Sequence, residues 1–272
     1  MSFENLVMAV RKGAEEALQL QKGVRGNHKD DGTIITEADM MIHRLLKDHI
    51  RRFYPQEAFL SEEEVKLPAL APGRLLFVLD PIDGTDAYSQ GMPGWCVALG
   101  ILDTDLTPVG GIIYAPRWSV AGSEESLLVL EPGEAPTLNG EPMIPPDRAG
   151  SLHCQQIMTS SRIHRRVDLS AYPGKVRSIG SSILHLAAPL LYPGVTASLQ
   201  AAGYIWDIAA SHAFLLALGY QLEYLSGGSL DYRSLVRRKK TRDILLSGTP
   251  EALDTLRRTI RVLKPHDGRA EG

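Results

Sequence analysis

The run Leu75-Leu76-Phe77-Val78-Leu79-Asp80-Pro81-Ile82-Asp83-Gly84-Thr85 joins an apolar segment to two acids, a glycine and a hydroxyl. The five apolar residues have the length and composition of a buried strand. Proline and glycine then interrupt the pattern, which predicts that the strand ends where the acids begin. Ligands bind at the carboxyl ends of strands in open α/β sheets. Two aspartates held there are able to share a pair of divalent cations.

This run has two other possible interpretations. Asp-Pro and Asp-Gly pairs are typical of surface turns, but the whole unit indicates a site, because Pro81 stiffens the turn and Gly84 admits an anion close to the backbone. Phosphatases of the haloacid dehalogenase type also end a strand in two aspartates, with one residue between them. Here Pro81 and Ile82 lie between the aspartates, so an aspartyl-phosphate intermediate is not expected.

Composition excludes several classes of protein. The chain has 272 residues, of which 44% are hydrophobic and 22% charged, with a net charge of −3, as in an ordinary globular protein. The one basic run, Arg237-Arg238-Lys239-Lys240, is interpreted as a solvated loop rather than a nucleic-acid patch. Cys96 and Cys154 have neither disulfide nor zinc spacing. The sequence has no signal peptide and no apolar run of about 20 residues, so we expect a cytoplasmic protein without a membrane segment.

Periodicity predicts an α/β fold of two lobes, residues 1–148 and 149–272, with the boundary in a segment rich in proline and glycine from residue 131 to 148. The predicted helices cover residues 2–22, 37–54, 180–186, 207–218 and 250–263, and the predicted strands cover 75–79, 96–102, 109–114, 156–159, 197–201 and 243–247. An apolar triplet at 58–60 precedes three glutamates.

Four acids are grouped as candidate ligands for a hard cation: Glu62, Asp80, Asp83 and Asp207. Mg²⁺ prefers oxygen ligands, and there is no cluster of His or Cys that would indicate zinc. Asp39 lies in the first turn of a helix that Thr36 caps. A carboxylate at this position also fits a purely structural role, in which it stabilises the positive end of the helix dipole. The residues 62–64 also fit a solvated acidic run.

Several motifs in order give the chain a resemblance to the inositol monophosphatase family, the Mg²⁺-dependent, lithium-sensitive phosphatases. Those motifs are Thr36-Glu37-Ala38-Asp39, Glu62-Glu63, Asp80-Pro81-Ile82-Asp83-Gly84-Thr85, Gly91 and Pro93 followed by Cys96-Val97-Ala98-Leu99-Gly100, Gly180-Ser181, and Trp206-Asp207-Ile208-Ala209-Ala210. The resemblance covers nearly the whole chain. It implies a layered α-β-α-β-α sandwich of the inositol monophosphatase and fructose-1,6-bisphosphatase type, and a homodimer.

The resemblance also implies a role for each residue. Glu62, Asp80 and the carbonyl of Ile82 would hold one Mg²⁺, and Asp80, Asp83 and Asp207 a second, with two or three ions per site. Thr85, paired with Asp39, would orient and deprotonate a metal-activated water that attacks a phosphate monoester directly, while Glu63 supports the waters. The backbone N–H groups of Gly84 and Thr85 would grip the phosphate. Ser160, Gly180, Ser181 and Gln200 are candidate contacts of the substrate.

The resemblance leaves the substrate open. Asp86-Ala87-Tyr88 replaces the usual residues after the central motif, and Gln200 stands where inositol-selective members typically have a glutamate. The segment around Gly91 and Cys96 favours inositol 1-phosphate or a related sugar phosphate. Fructose 1,6-bisphosphate and 3′-phosphoadenosine 5′-phosphate are the alternatives. A non-catalytic member that binds a metal or a partner is disfavoured, because every acid of the metal set is present.

Overall fold

The computed structural model describes residues 3–23, 27–28, 34–120, 122–146 and 155–263. The helices in these ranges are α1 Glu4–Leu20, α2 Glu37–Phe53, α3 Thr85–Ser89, α4 Ser182–Leu191, α5 Ala209–Ala217, α6 Tyr232–Leu235 and α7 Pro250–Thr259. The strands are β1 Asn27–His28, β2 Ile34–Ile35, β3 Ala58–Ser61, β4 Leu76–Asp83, β5 Cys96–Leu102, β6 Pro108–Ala115, β7 Ser126–Leu130, β8 Thr137–Leu138, β9 Glu141–Pro142, β10 Gln156–Thr159, β11 Val167–Asp168, β12 Lys175–Arg177, β13 Val195–Gln200, β14 Gln221–Tyr224, β15 Leu245–Gly248 and β16 Arg261–Val262.

Two sheets and three helical layers alternate through the molecule. A sheet of order β3-β4-β5-β6-β7-β8-β9 carries α1 and α2 on one face and α4 and α5 on the other. Helices α4 and α5 also pack on a second sheet of order β12-β10-β13-β15-β14, whose opposite face is covered by α7. The order is therefore α-β-α-β-α, which confirms the predicted fold class.

Helix α2 begins at a capping box. Thr36 accepts a hydrogen bond from the backbone N–H of Asp39 over 3.4 Å, and the Asp39 carboxylate accepts one from the backbone N–H of Thr36 over 2.8 Å. These bonds satisfy N–H groups that a helix start leaves unpaired. The apolar side of α2, which includes Ile42 and Leu46, is then buried against the first sheet. The cap thus fixes the position of Asp39 at one end of that sheet.

Strand β4 continues through both aspartates, so the prediction that it ends at Asp80 was wrong. Asp80 pairs with Ala98 and Asp83 with Cys96. Between these two pairs β4 has two residues and β5 has only one. This extra residue is a β-bulge. In a regular strand, residues three apart point to opposite faces. Because of the bulge, Ile82 packs towards α1 and α2, whereas the two carboxylates converge at the opposite face.

The parallel pairing of β3 with β4 explains how residues 62–64, the acidic loop, reach the same place. Ser61 is in register with Leu79, and the N–H of Glu62 donates to the Leu79 carbonyl over 3.1 Å. Parallel strands end at the same edge, so residues 62–64 emerge beside Asp80. Across the layer, α5 approaches β5 closely, since a Cβ on Gly100 would lie 2.6 Å from the Cβ of Ala209. That approach brings Asp207, just before α5, to the same edge.

Most predicted elements are confirmed, and the end of one further element is corrected. The last helix ends at Thr259 rather than 263, because Arg261–Val262 is extended and pairs with Val167–Asp168. The segment predicted to separate the lobes forms β8 and β9 as far as Pro142, a hairpin of the first sheet that turns at Asn139 and Gly140, both with positive φ. The predicted lobe boundary after residue 148, and Cys154, lie outside the described residues. None of the described helices has the length and apolar character needed to cross a membrane.

Buried histidines give the stability of the fold a pH dependence. Burial lowers the pKa of His185 and of His212 from 6.5 to about 4. Below pH 6.5 the unfolded chain binds protons that the folded chain does not, so each histidine costs stability as the pH falls, up to about 3 kcal/mol near pH 4. His212 contacts the hydroxyl of Tyr232 through Nδ1 over 2.8 Å.

We expect His212→Gln to gain stability relative to wild type between pH 6.5 and 4, as measured by urea unfolding. Other groups titrate in the same window, so the difference between variant and wild type isolates this histidine. The exposed His164 supplies the matched control, and His164→Gln is expected to follow wild type at every pH. Unfolding free energies of wild type and His212→Gln that stay parallel from pH 7 to 4 would contradict the prediction.

Candidate active site

Three aspartates from two parts of the chain meet at the edge of the first sheet. One carboxylate oxygen each of Asp80, Asp83 and Asp207 lies within 4.8 Å of the other two. Asp80 and Asp83 flank the bulge of β4, and Asp207 precedes α5, where its Oδ2 accepts a hydrogen bond from the N–H of Tyr204 over 2.6 Å. Glu62 is close enough to act on this group, because its charge raises the pKa of both Asp80 and Asp207.

The donor set fits a hard divalent cation. Burial, followed by repulsion from Glu62 and the neighbouring aspartates, raises the pKa of Asp80 well above its usual range. Burial and the charges of Asp83 and Glu62 raise the pKa of Asp207 to about 8. Oδ1 of Asp80 is buried and has no hydrogen-bond partner in the described part of the chain. A cluster of mutually repelling carboxylates, with one buried oxygen that has no hydrogen-bond partner, suits the binding of Mg²⁺.

Asp83 is held by the start of α4. Its Oδ2 accepts hydrogen bonds from the Ser181 hydroxyl and from the N–H of Ile183 over 2.6 Å, and its Oδ1 accepts one from the Ser182 hydroxyl over 2.9 Å. Burial raises the pKa of Asp83, and these bonds oppose that effect. Ser181 also caps α4 by accepting a bond from the N–H of Leu184 over 3.0 Å. Two predicted site residues, Ser181 and Asp83, therefore act on each other.

The side chains of Asp39 and Thr85 do not share a hydrogen bond within the described residues. Oδ2 of Asp39 accepts from both the N–H and the hydroxyl of Thr36, over 2.8 and 2.5 Å, and Thr85 Oγ1 donates to the carbonyl of Ile82 over 2.9 Å. The predicted Thr85–Asp39 pair is thus not formed in this state, because the helix cap and the Ile82 carbonyl are nearer partners. Burial chiefly, together with repulsion from Glu62 and Glu63, raises the pKa of Asp39 to about 7.

Two glycines allow the backbone before α3 and the backbone before α4 to approach the carbonyl of Gly94 closely. Gly84 precedes α3 with a φ of 91°, and a Cβ there would lie 2.8 Å from the carbonyl oxygen of Gly94. A Cβ on Gly180, whose φ is 118°, would also lie 2.8 Å from that oxygen. L side chains rarely adopt this φ, so both positions require glycine. The close approach seats α4 and its serines next to the bulge.

The predicted substrate contact Gln200 is buried within a polar network. Its Oε1 accepts from the Ser160 hydroxyl over 2.9 Å and lies 3.2 Å from Nδ1 of His185, and its Nε2 donates to the Ser198 hydroxyl over 2.6 Å. The low pKa of His185 keeps that ring neutral, with its Nε2 accepting from the N–H of Ile179 over 2.9 Å. Ser160 and Gln200 thus bond to each other, and their contact with a substrate stays a prediction.

The sequence interpretation missed Arg238, which it assigned to a solvated loop. Its guanidinium instead contacts the acidic loop that contains Glu62, and its neighbour Lys240 lies 5.1 Å from the ring of Tyr204. Lys240 also lowers the pKa of Asp207. The basic composition of this run was a visible signal, but its position beside the site depends on the tertiary fold.

Comparisons with known proteins agree with this geometry. A model of the inositol monophosphatase family matches residues 3–255. The 3′(2′),5′-bisphosphate nucleotidase CysQ of Escherichia coli is 25% identical over 251 residues, which cover 85% of this chain and 93% of that protein. The fructose-1,6-bisphosphatase/inositol-1-monophosphatase of Thermotoga maritima is 27% identical over 207 residues, which cover 71% of this chain and 72% of that protein.

Solved structures share the fold at lower sequence identity. An IMPase of Thermotoga maritima has a TM-score of 0.74 at 22% identity and covers 94% of this chain and 97% of its own. The extragenic suppressor protein SuhB of Bartonella henselae has a TM-score of 0.73 at 19% identity and covers 93% and 96%. The arrangement of layers described above is therefore common to this chain and these proteins.

Proposed function

The chain belongs to the inositol monophosphatase family and is a phosphoric monoester hydrolase, and from this premise we propose that it hydrolyses inositol 1-phosphate or a related sugar or polyol phosphate. The proposal includes Mg²⁺ at two or three positions, held by Glu62, Asp80, Asp83, Asp207 and the Ile82 carbonyl. The observation that carries it is the convergence within 4.8 Å of three carboxylates, those of Asp80 and Asp83 buried and that of Asp207 half-buried. Bound Mg²⁺ supplies Lewis acidity that activates water and neutralises charge on phosphoryl oxygens.

Asp39 and Thr85 are proposed to manage the proton of the attacking water. Asp39 suits a general base, because a pKa of about 7 is matched to neutral pH. Thr85 Oγ1 would exchange its bond with the Ile82 carbonyl for one with the water, which it then orients towards phosphorus. Glu63 follows Glu62 in the acidic loop and raises the pKa of Asp39, so a role in ordering nearby waters is consistent with its place.

The phosphate and the rest of the substrate are proposed to lie between the start of α3 and the ends of β10 and β13. The N–H groups of Gly84 and Thr85, at the start of α3, suit phosphoryl oxygens. Ser160, Gly180, Ser181 and Gln200 are proposed as contacts of substrate hydroxyls on the opposite side. Because Ser160 already donates to Gln200, a hydroxyl of the substrate would join a network whose donors and acceptors are oriented in advance.

A bisphosphate nucleotide is the second candidate substrate, because CysQ proteins, which are 3′(2′),5′-bisphosphate nucleotidases, match 85% of the chain. Fructose 1,6-bisphosphate is the third candidate, because the Thermotoga maritima relative is a fructose-1,6-bisphosphatase/inositol-1-monophosphatase.

We further propose that lithium inhibits the protein, that it forms a homodimer and that it is cytoplasmic. We also propose two lobes, residues 1–148 with most metal ligands and residues 149–272 with Asp207.

A substrate panel tests these proposals. With Mg²⁺, we expect phosphate release from inositol 1-phosphate or a polyol phosphate at a higher kcat/KM than from 3′-phosphoadenosine 5′-phosphate, and inhibition by LiCl but not by NaCl. Equal kcat/KM values on nucleotide and inositol phosphates would contradict the choice of substrate. No phosphate from any compound would favour a protein that binds a metal or a partner without turnover.

A further inference from the structure

Arg238 donates hydrogen bonds to the backbone of the acidic loop and of Ser61 before it. Its Nη1 donates to the carbonyl oxygens of Ser61 and Glu64 over 2.9 and 2.5 Å, and its Nη2 donates to the carbonyl of Glu62 over 2.9 Å. These three bonds join residues more than 170 positions apart in the sequence. The planar guanidinium fork serves several acceptors at once, which the single ammonium of lysine cannot do in the same geometry.

The same guanidinium contacts the segment that carries Asp207. Its Cζ lies 4.5 Å from the centroid of the Trp206 ring, and Trp206 stacks on Tyr204 with ring centroids 4.6 Å apart. The N–H of Tyr204 donates to the Asp207 carboxylate over 2.6 Å. Arg238 thus lies between the loop of Glu62 and the loop of Asp207, with a direct contact to each.

The backbone of Arg238 is held in an unfavourable conformation. Its φ is 60°, in the left-handed region that side chains other than glycine, asparagine and aspartate rarely occupy. Such a conformation is strained and persists where surrounding contacts enforce it. The exposed neighbour Arg237 has a negative φ, so the strain is confined to the residue that holds the acidic loop.

Two side-chain tethers of the acidic loop come from α2. His43 Nδ1 lies 2.9 Å from the Ser61 hydroxyl, and Lys47 forms an ion pair with Glu64 over 2.8 Å. Both fix the loop relative to the first sheet, whereas Asp207 belongs to the segment before α5. Of these tethers only Arg238 reaches across to that segment, through Trp206.

We propose that Arg238 is a positioning residue that sets the distance between Glu62 and Asp207 and thereby tunes metal affinity. This inference rests on the proposed roles of Glu62 and Asp207 as metal ligands. Without the guanidinium, the loop of Glu62 keeps its tethers to α2 but loses its register against the Trp206–Asp207 segment. The two carboxylates then spend less time at the separation that a shared ion cluster requires.

The test measures Mn²⁺ binding to the full chain by electron paramagnetic resonance, without substrate, at a temperature where circular dichroism shows a folded protein. Arg238→Gly removes the guanidinium and also relieves the left-handed strain, so its Tm in EDTA is expected to stay close to wild type. We expect its Mn²⁺ affinity to fall about 10- to 100-fold, the usual effect of losing a group that orients metal ligands. Arg238→Lys should fall between, and Arg237→Gln should match wild type.

The outcomes separate this inference from the proposed function. Wild-type Mn²⁺ affinity in Arg238→Gly, or in Arg238→Lys if the glycine variant does not fold, would overturn the role of Arg238. If wild type itself binds no Mn²⁺, or Asp207→Asn binds it as tightly as wild type, the proposed metal site fails instead. An equal loss of affinity in Arg237→Gln would show that the effect does not depend on the contacts of Arg238 and would also overturn the proposal.

Discussion

Asp80→Asn should lower kcat/KM by a factor on the order of 10³ or more while leaving the metal-free protein at least as stable as wild type. Asp80 lies close to the carboxylates of Asp83 and Asp207, and its Oδ1 has no hydrogen-bond partner in the described residues. A bound cation would therefore be the main source of stabilisation for the ionised group. Losing it removes several kcal/mol of charge stabilisation from the reaction. In EDTA the negative charge of Asp80 destabilises the folded state, because burial and the charges of Glu62, Asp83 and Asp207 all raise its pKa. Phosphate release and thermal unfolding in EDTA measure the two effects.

Asp48 on the exposed side of α2 provides the matched control. Asp48→Asn makes the same chemical change on a side chain in solvent and should alter neither kcat/KM nor Tm. Retention of more than a tenth of wild-type activity by Asp80→Asn would exclude Asp80 as a shared metal ligand. A large fall in its Tm in EDTA would show instead that the carboxylate supports the fold without a cation.

Removal of divalent metal should abolish turnover and lower the Tm of the wild-type protein. A ligand at 100 times its Kd stabilises the folded state by about 2.7 kcal/mol, which for a chain of this size corresponds to a Tm shift of roughly 5–10 °C. The physical reason is the carboxylate cluster, whose mutual repulsion the ion relieves. Dialysis against EDTA, followed by calorimetry with and without Mg²⁺, measures the shift, and activity should return when Mg²⁺ is added.

Asp207→Asn shows whether the shift comes from the proposed site. Its Tm should respond much less to Mg²⁺, since one ligand of the cluster is neutral, whereas the Tm of Asp48→Asn should respond as in wild type. If the Tm of Asp207→Asn rose as much as that of wild type, the stabilising ion would have to bind elsewhere. Full activity in EDTA would exclude a requirement for metal altogether.

Local patterns predicted much of the fold because their causes are local. The cap at Thr36 and the strand Gln156–Thr159 depend on neighbours in the sequence, and both were located correctly. The end of the last helix was wrong because Arg261–Val262 pairs with a strand almost a hundred residues earlier. Such pairing leaves no periodic trace in the sequence around residue 260.

Some features of the candidate site were likewise predicted from the sequence, and others depend on the tertiary structure. The acids Asp80, Asp83 and Asp207 were grouped from residue type and order, and their oxygens do converge. The bonds from Ser181 and Ser182 to Asp83, and the grip of Arg238 on the acidic loop, depend on long-range packing and on a left-handed backbone. Neither a bond across a hundred residues nor a positive φ at an arginine is readable from one sequence.

The bulge in β4 requires two residues between Asp80 and Asp83, and no substitution elsewhere compensates for a change in that number. Deleting one of them would change the parity of the strand and turn the second carboxylate away from its partners, whatever side chains were chosen. Homologous sequences should therefore tolerate exchanges at position 82 far more readily than insertions or deletions there. A gap inside this motif in an alignment would mark a protein whose metal chemistry has been lost or rebuilt.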